Sequence, residues 1–342
     1  MLLEPRQEQI LIAVVKEYIR TAEPVASQML AVKYGIDCSP ATIRSELARL
    51  EEMGYLQKPH TSAGRVPLYL AYRYFVDYLL RKGVAPPEGT DALVDRVFVD
   101  QTEVDRLLES VGNLLARVTR LTSLVLAPHL RRSMFRYVSL VPISPTSILL
   151  LLLTNTGALT NKLIELSRPI DAEELERITH ILNDRLKGTF LGRISYDLLQ
   201  GIPGDTPREF LDLIIRAASE IPGKEQRRVV LGGKMHLFEH PEFRDLERLR
   251  VLLELLEEEN VVAEILEKTL RTPGVQVFIG RENEPAEMRD CAMVTATYFV
   301  QGEPLGSLGL IGPMRIPYEQ VIYLVGYTAQ RFGERLGELT GI

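Results

Sequence analysis

Residues 39–77 read SPATIRSELARLEEMGYLQKPHTSAGRVPLYLAYRYFVD and decide the fold of the first part of the chain. Ser39 and Pro40 indicate a helix start, because a serine N-cap accepts a backbone N–H and proline is tolerated in the first turn. Apolar residues then recur at helical spacing, at Ile43, Leu47 and Leu50. Gly54 is placed to end this helix. A basic, polar hairpin and an aromatic-rich helix over 67–82 are predicted to follow.

Two further helices are predicted ahead of this stretch, over residues 6–21 and 25–34, the second capped by Ser27 and ended by Gly35. Helix, short helix, a tight turn containing glycine, and helix is the order of a helix-turn-helix unit. Many three-helix units with this order do not bind DNA. The hairpin predicted over 55–66 favours DNA binding, because it adds a wing beside the third helix.

The polar side chains of this unit are the candidate DNA contacts. Those of the third helix lie off its apolar face, and those of the hairpin are basic or carry hydroxyl groups. The full set is Thr42, Arg44, Ser45 and Arg49 on the helix and Lys58, His60, Thr61, Ser62 and Arg65 on the wing. Arginine suits guanine edges, and serine or threonine suits phosphates and base edges.

Each of these assignments has a plainer alternative. Arg44 and Arg49 also fit a solvated helix face on which they pair with neighbouring glutamates, and residues 59–62 also fit an ordinary surface loop. The aromatic helix carries Arg73 among three tyrosines, Tyr69, Tyr72 and Tyr74. We expect this group to pack against other helices rather than to stack on bases.

Charge and composition limit the remaining choices. The 342-residue chain has a net charge of −6, but residues 1–82 hold eleven Lys/Arg against nine Asp/Glu, and residues 39–82 hold seven against four. The basic excess of an otherwise acidic protein therefore lies on the candidate DNA-binding segment. Two distant cysteines, Cys38 and Cys291, exclude a disulfide framework and a cysteine-rich zinc site. Since the sequence has no signal-peptide pattern and no apolar run long enough to span a bilayer, we expect a cytoplasmic protein without membrane association.

The remainder of the chain is expected to be α+β. A linker over 83–89 leads to a long helical pattern over 90–124. Strand patterns follow at 134–141, 147–154 and 159–166 and again at 275–279, 293–300 and 305–311, with helices at 171–186 and 318–339. This order predicts one α+β domain interrupted by a mostly helical insertion over about 200–272. The apolar pattern of 251–270 within it fits a dimer interface and an internal core equally well.

The segment KPHTSAGRVPLYLAYRYFVD, residues 58–77, resembles the hallmark of the heat-inducible transcription repressor HrcA family. Leu68 and Ala71 replace the threonine and glycine that are usual in that pattern. Three further segments extend the resemblance along the chain: SPATIRSELARLEEMGYL before the hallmark, HPEF at 240–243 and GSLGLIGPMRIPYEQVI at 306–322.

The resemblance implies a dimeric bacterial repressor that binds an inverted-repeat operator, the CIRCE element, upstream of chaperonin operons. Since no catalytic constellation emerges from the sequence, we expect neither a cofactor nor catalytic activity. It also implies that a GroEL-type chaperonin keeps the repressor active, and that heat stress withdraws this support. The implied architecture is a winged helix-turn-helix at 1–82, a linker and connecting helix at 83–124, a GAF-like domain in two parts at 125–199 and 273–342, and an inserted dimerisation domain at 200–272.

Two other functions are weighed against this one. A GAF-like domain also suits a ligand-gated regulator that senses a small molecule. His236, Glu239 and His240 match the HxxEH string of zinc hydrolases, but Pro241 disfavours the helix that this motif requires. The glycines between 302 and 312 lack the spacing of a phosphate-binding loop and are expected to serve turns and bends of the sheet.

Overall fold

The computed structural model describes residues 3–60, 64–99, 103–128, 134–154, 159–191, 194 and 228–340. The fold of these residues is mixed α+β, with helices and antiparallel sheets. Within the described ranges no helix is long and apolar enough to cross a membrane.

Residues 3–60 and 64–82 form a unit that we call the head. Its elements are α1 (Pro5–Thr21), α2 (Ser27–Lys33), α3 (Pro40–Glu52), β1 (Leu56–Gln57), β2 (Val66–Pro67) and α4 (Tyr69–Lys82). This order confirms the predicted three helices, hairpin and fourth helix. Ser39 caps α3 as predicted, its Oγ accepting the backbone N–H of Thr42 at 3.1 Å, and Gly54 follows the helix with a φ of +78°.

The start of α2 differs from the prediction. Its N-cap is Ala26, and Ser27, expected as the cap, is instead the first helical residue. Val25 lies outside the helix, because its backbone exchanges two hydrogen bonds of 2.9 Å with Arg65 in an antiparallel bridge. This pairing between distant parts of the sequence adds a third short segment to the wing.

The rest of the described chain, from residue 90 onward, is called the body. Its helices and strands are α5 (Thr90–Phe98), α6 (Val104–Thr119), β3 (Thr122–Leu126), β4 (Phe135–Ser144), β5 (Ser147–Thr154), β6 (Leu159–Glu165), α7 (Ala172–Leu186), β7 (Val229–Gly232), α8 (Leu246–Glu257), α9 (Glu259–Thr269), β8 (Val275–Ile279), β9 (Cys291–Val300), β10 (Glu303–Pro313) and α10 (Tyr318–Thr340).

The prediction of a single long helix over 90–124 is wrong. Two helices, α5 and α6, occupy this region, and Arg120 ends α6 in the left-handed conformation with a φ of 57°. The apolar residues that follow form β3, which pairs with β10 on one side and β7 on the other. A short apolar run satisfies helical and strand patterns alike, so periodicity alone does not separate them.

The predicted grouping of the strands is also corrected. Strands β4, β5 and β6 form a separate three-stranded sheet, covered by α7, with its own apolar core. They do not pair with the five-stranded sheet of the body, whose order is β7-β3-β10-β9-β8. Strand patterns identify extended segments but not their partners, which depend on contacts far apart in sequence.

Helices α8 and α9 pack against the five-stranded sheet and do not form the separate inserted domain that the sequence predicts. Leu252 and Leu266 are buried in one core cluster with Met293 and Ile311 of that sheet. Of the two alternatives for the 251–270 pattern, internal core is therefore the one observed. Residues 200–227 of the predicted insertion lie outside the described residues.

The head and the body share one hydrophobic core. Leu11 of α1 and Phe75 of α4 are buried in the same cluster as Tyr318 and Phe332 of α10. The Phe75 and Tyr318 rings meet edge to face, with their centroids 6.4 Å apart. The head is therefore packed against the body in this structure, and the orientation of α3 depends on that packing.

Candidate nucleic-acid interface

Helix α3 has a buried face and an exposed polar face. Ile43, Leu47 and Leu50 are buried in the core of the head. The opposite face exposes Ala41, Arg44, Ser45 and Arg49, which are small, hydroxyl or guanidinium side chains. The predicted contact Thr42 is half-buried, and its Oγ1 lies 3.0 Å from the Ser39 Oγ at the helix cap.

The two arginines of this face have different surroundings. Arg49 lies 3.4 Å from the buried Glu46 carboxylate, which also accepts a bond of 3.1 Å from Gln7 Nε2 of α1. The plainer alternative, pairing with a neighbouring glutamate, is thus realised for Arg49. Arg44 is exposed and forms no ion pair with any residue that the structure describes.

The wing places two predicted contacts in solvent and turns a third inward. Lys58 and His60 follow β1 and are exposed. Arg65 was expected to contact DNA, but its Nη2 lies 2.8 Å from Glu51 of α3 and its side chain is only 14% exposed. It therefore attaches the wing to α3. Thr61 and Ser62 lie outside the described residues.

Gly64 makes the close approach of the wing to Val25 possible. A Cβ added at Gly64 would lie 2.4 Å from the backbone C and O of Val25. Sequence reasoning missed the roles of Val25 and Glu51, since no local pattern links either residue to Arg65. The glycine in the hallmark segment was the available signal of a tight approach.

A buried carboxylate fixes α2 against α1. Glu17 accepts bonds from Arg20 at 2.5 Å, Lys33 at 2.6 Å and the Tyr34 hydroxyl at 2.9 Å, and its side chain is 4% exposed. The bond from Arg20 contributes most, and with those from Lys33 and Tyr34 it lowers the pKa of Glu17 to about 2 against the raising effect of burial. The charged form of Glu17 is thus part of the head's framework.

The aromatic face of α4 contacts the body, which confirms the prediction that this group packs rather than stacks on bases. Tyr69 donates its hydroxyl to Glu282 Oε1 at 2.5 Å, and Arg73 Nη1 donates to Glu282 Oε2 at 3.0 Å and to the Val277 carbonyl at 2.9 Å. The Tyr72 ring lies 6.2 Å from that of Tyr318.

The HxxEH string does not form a zinc-hydrolase site. His236 and Glu239 lie on a short 3₁₀ helix, Lys234–Glu239, and are bonded to each other at 2.9 Å, which lowers the pKa of Glu239. His240 lies beyond that helix, and its Nε2 is 3.0 Å from the Arg120 carbonyl oxygen. In the described ranges no group of three or more His, Cys, Asp or Glu residues is placed to hold a metal ion.

The glycine-rich stretch provides a turn, as predicted, and also allows close packing within the sheet. Gly302 turns the chain between β9 and β10 with a φ of +81°. A Cβ at Gly306 would lie 2.1 Å from the Tyr298 hydroxyl, and one at Gly309 would lie 2.6 Å from the Val294 carbonyl oxygen. These glycines are explained by close contacts within the sheet.

Comparison with known proteins gives one consistent family. The sequence profile of the HrcA protein C terminal domain matches residues 105–322. The heat-inducible transcription repressors HrcA of Desulfitobacterium hafniense and Carboxydothermus hydrogenoformans are 35% and 36% identical to this chain. The first match covers 98% of both chains, and the second covers 98% of this chain and 99% of the relative.

A solved structure supports the fold over the same length. The crystal structure of a hypothetical protein matches with a TM-score of 0.67 and 27% identity, covering 99% of this chain and 100% of that chain. The relatives are named as repressors of transcription rather than as enzymes. Since relatives above 30% identity cover nearly the whole chain, and the profile spans more than half of it, the protein belongs to the heat-inducible transcription repressor HrcA family.

Proposed function

We propose that the exposed face of α3 and the wing form the operator-binding surface of this repressor, with the head acting as a winged helix-turn-helix. The observation that carries the proposal is the exposed row of Arg44, Ser45 and Arg49 on a helix whose opposite face is buried. A helix presented in this way enters the major groove with base-reading side chains on its free face.

Individual roles follow from the surroundings of each side chain. We assign Arg44 to base readout, since it brings a fork of donors that no carboxylate of the described chain already occupies. Arg49, Lys58 and His60 are assigned to phosphates, and Ser45 to a phosphate or a base edge. Thr42, Thr61 and Ser62 keep the contact roles that the sequence predicts.

We further propose that the repressor is a homodimer, joined through the three-stranded sheet of β4, β5 and β6. The face of this sheet opposite α7 exposes apolar side chains, at Tyr137, Leu159 and Leu163, with exposed fractions of 51%, 66% and 55%. Apolar patches of this kind mark protein interfaces. A two-fold dimer would present two heads to an inverted repeat, because operator symmetry mirrors protein symmetry.

The dimerisation unit is therefore proposed to be the three-stranded sheet with α7, and not residues 200–272 as the sequence predicts. The GAF-like assignment is proposed for the unit built on the five-stranded sheet.

The operator and the heat response are proposed from the family resemblance. We propose a CIRCE-type inverted repeat as the operator, and a GroEL-type chaperonin as the partner that sustains repression. Operator binding measured against temperature, with and without added chaperonin, tests whether the chaperonin sustains repression. Chaperonin dependence predicts that added chaperonin restores binding after heating, and a loss of binding that chaperonin leaves unchanged contradicts it.

A gel-shift assay tests the main proposal. The protein is expected to bind the CIRCE-type inverted repeat about 10³-fold or more tightly than a scrambled duplex at moderate salt. Affinity for both duplexes should fall steeply as salt rises, because phosphate contacts release counterions. Equal affinity for the two duplexes would contradict operator recognition.

A further inference from the structure

Two of the segments that resemble the HrcA family lie outside the proposed operator surface and meet where the body contacts the head. Glu242 belongs to HPEF at 240–243, and Arg315 belongs to GSLGLIGPMRIPYEQVI at 306–322. Arg315 Nε and Nη2 donate to the two carboxylate oxygens of Glu242 at 2.6 and 3.3 Å, which is the paired geometry of a guanidinium on a carboxylate. Because the Arg315 side chain is only 16% exposed, solvent screens this pair only in part.

The remaining nitrogen of Arg315 holds the head. Its Nη1 donates to the Ile19 carbonyl oxygen at 3.0 Å, in the last turn of α1. Carbonyl groups at a helix C-terminus lack partners within the helix and carry a partial negative charge, so a cation is favourable there. We call Ile19, Glu242 and Arg315 the α1 contact.

A second contact holds the start of α4. It consists of Tyr69, Arg73 and Glu282, whose hydrogen bonds are described above, and we call it the α4 contact. The Arg281 guanidinium lies 4.5 Å from the centroid of the Tyr69 ring and adds a cation–π interaction. Since the two contacts hold two different helices, the head cannot turn about either contact alone.

The orientation of α1 is passed on to α3. Gln7 Nε2 of α1 donates to the Glu46 carboxylate of α3 at 3.1 Å in a buried bond, and Leu11 and Leu47 lie in the same core. The operator face of α3 stays exposed while the head is docked, as Arg44 shows. The docked orientation is therefore one in which α3 is free to bind DNA.

We propose that Arg315 and Glu282 are positioning residues for operator recognition, which hold the head at the angle that matches one spacing of the two half-sites. This inference rests on the proposed binding of an inverted repeat by a dimer. One added base pair between the half-sites moves the second half-site by about 3.4 Å and turns it by about 35°. A head that is held by both contacts cannot follow this movement, whereas a released head can.

The ratio of two operator affinities tests the inference. One operator is the CIRCE-type inverted repeat, and the other has a spacer that is longer by two base pairs. In the unmodified protein the longer spacer is expected to weaken binding by about 30-fold or more, because the second head then misses its half-site. In the double variant Arg315→Ala, Glu282→Ala this ratio is expected to fall to about 3-fold or less.

A general loss of stability would weaken binding to both operators by the same factor and leave the ratio unchanged, which would overturn the proposal. The control is Arg250→Ala, which removes an arginine from an exposed ion pair with Glu247 within α8 and should keep the ratio. Arg315→Lys keeps the charge but loses the paired geometry, so an intermediate ratio is expected. This variant keeps the test decisive where the double variant does not fold.

Pulsed electron paramagnetic resonance tests the two contacts without DNA. Spin labels are attached to the full chain through Val32→Cys on α2 and Val261→Cys on α9, two exposed positions, with Cys38→Ser as background. Labelled protein is diluted into excess unlabelled protein, so that only distances within one chain are measured. A narrow distance distribution is expected, and the double variant should broaden it.

The same distribution in the unmodified protein and in the double variant would overturn the proposal. If the protein bound no operator at all, the proposed function would fail. The distance measurement would then still decide whether the two contacts fix the head.

Discussion

Arg44 and Arg49 share the exposed face of α3, yet only Arg49 is held by a carboxylate of the described chain, that of Glu46. An arginine that already serves an ion pair must exchange that pair for a DNA contact. Arg44 has no ion pair to break among the described residues. We therefore expect its guanidinium to contribute more of its binding energy to a base contact. On this basis we propose that Arg44 contributes mainly to specificity and Arg49 mainly to general affinity.

Replacing Arg44 by alanine is expected to weaken operator binding by about 1–3 kcal/mol and to reduce discrimination against scrambled DNA. Arg49→Ala should weaken binding to the operator and to the scrambled duplex by similar factors, as loss of a phosphate contact does. Fluorescence anisotropy titrations of both duplexes measure the two effects. Arg96→Ala removes the same charge from the exposed surface of α5 and serves as the control. A loss of specificity in Arg96→Ala equal to that in Arg44→Ala would contradict the assignment.

Gly64→Ala is expected to destabilise the head by about 1–3 kcal/mol, because its Cβ would overlap the Val25 backbone and break the bridge to Arg65. Urea unfolding at equilibrium measures this change. Operator affinity should fall as well, since the bridge positions the wing. An unfolding free energy within about 0.5 kcal/mol of the unmodified protein would show that the wing does not need the bridge.

At the scale of elements, the α1–α2 pair is held by one buried charge. Glu17 is bonded to Arg20 on its own helix and to Lys33 and Tyr34 at the end of α2. Its pKa is lower in the folded protein, about 2, than the ordinary value of about 4.3 in an unfolded chain. This contribution to stability is therefore fully present above the unfolded pKa and is lost as the pH falls through the folded pKa.

Glu17→Gln is expected to cost about 1–3 kcal/mol near neutral pH, because bonds to a charged acceptor become bonds to a neutral one. The variant should also lose less stability than the unmodified protein between about pH 6 and about pH 3, since it lacks the titrating group. Urea midpoints at the two pH values measure both effects. An equal loss in the two proteins would contradict the role of the charge.

The predicted elements were most accurate where the deciding interactions are local. The Ser39 cap, the apolar spacing of α3 and Gly54 all act within a few residues, and the prediction for α3 is confirmed. The bridge of Val25 to Arg65 and the pairing of β3 with β7 and β10 join distant segments. No periodicity in one sequence reports such partners. For this reason the predicted second helix began too early, at Val25, and the predicted helical pattern over 90–124 included the first residues of β3.

In the candidate site, too, the features set by local geometry could be predicted and those set by contacts between distant segments could not. The exposed residues of α3 could be predicted, because helical geometry fixes which side chains share a face. The inward turn of Arg65 could not, since it depends on where Glu51 lies once the wing has packed on α3.

At the scale of the whole molecule, the exposed apolar face of β4, β5 and β6 is expected to join two copies. Leu163→Asp places a charge on this face, opposite the side covered by α7. Because a desolvated, unpaired charge is costly at an interface, the variant is expected to be monomeric. Its operator affinity should drop by about 100-fold or more, as the two half-sites are then bound independently. Light scattering after size exclusion measures the oligomeric state.

Leu246→Asp is the matched control for this variant, since Leu246 is 72% exposed at the start of α8, away from the three-stranded sheet. It should keep the oligomeric state of the unmodified protein. A dimeric Leu163→Asp protein would place the interface elsewhere.

Site-specific photo-crosslinking most directly tests whether α3 and the wing contact the operator. A benzophenone side chain is placed at Ser45 on α3, at Lys58 on the wing, or at Val99, which is exposed after α5. Crosslinks to the inverted repeat are expected from Ser45 and Lys58 at symmetric positions in both half-sites, and none from Val99. Crosslinks from Val99 with none from Ser45 or Lys58 would contradict the account.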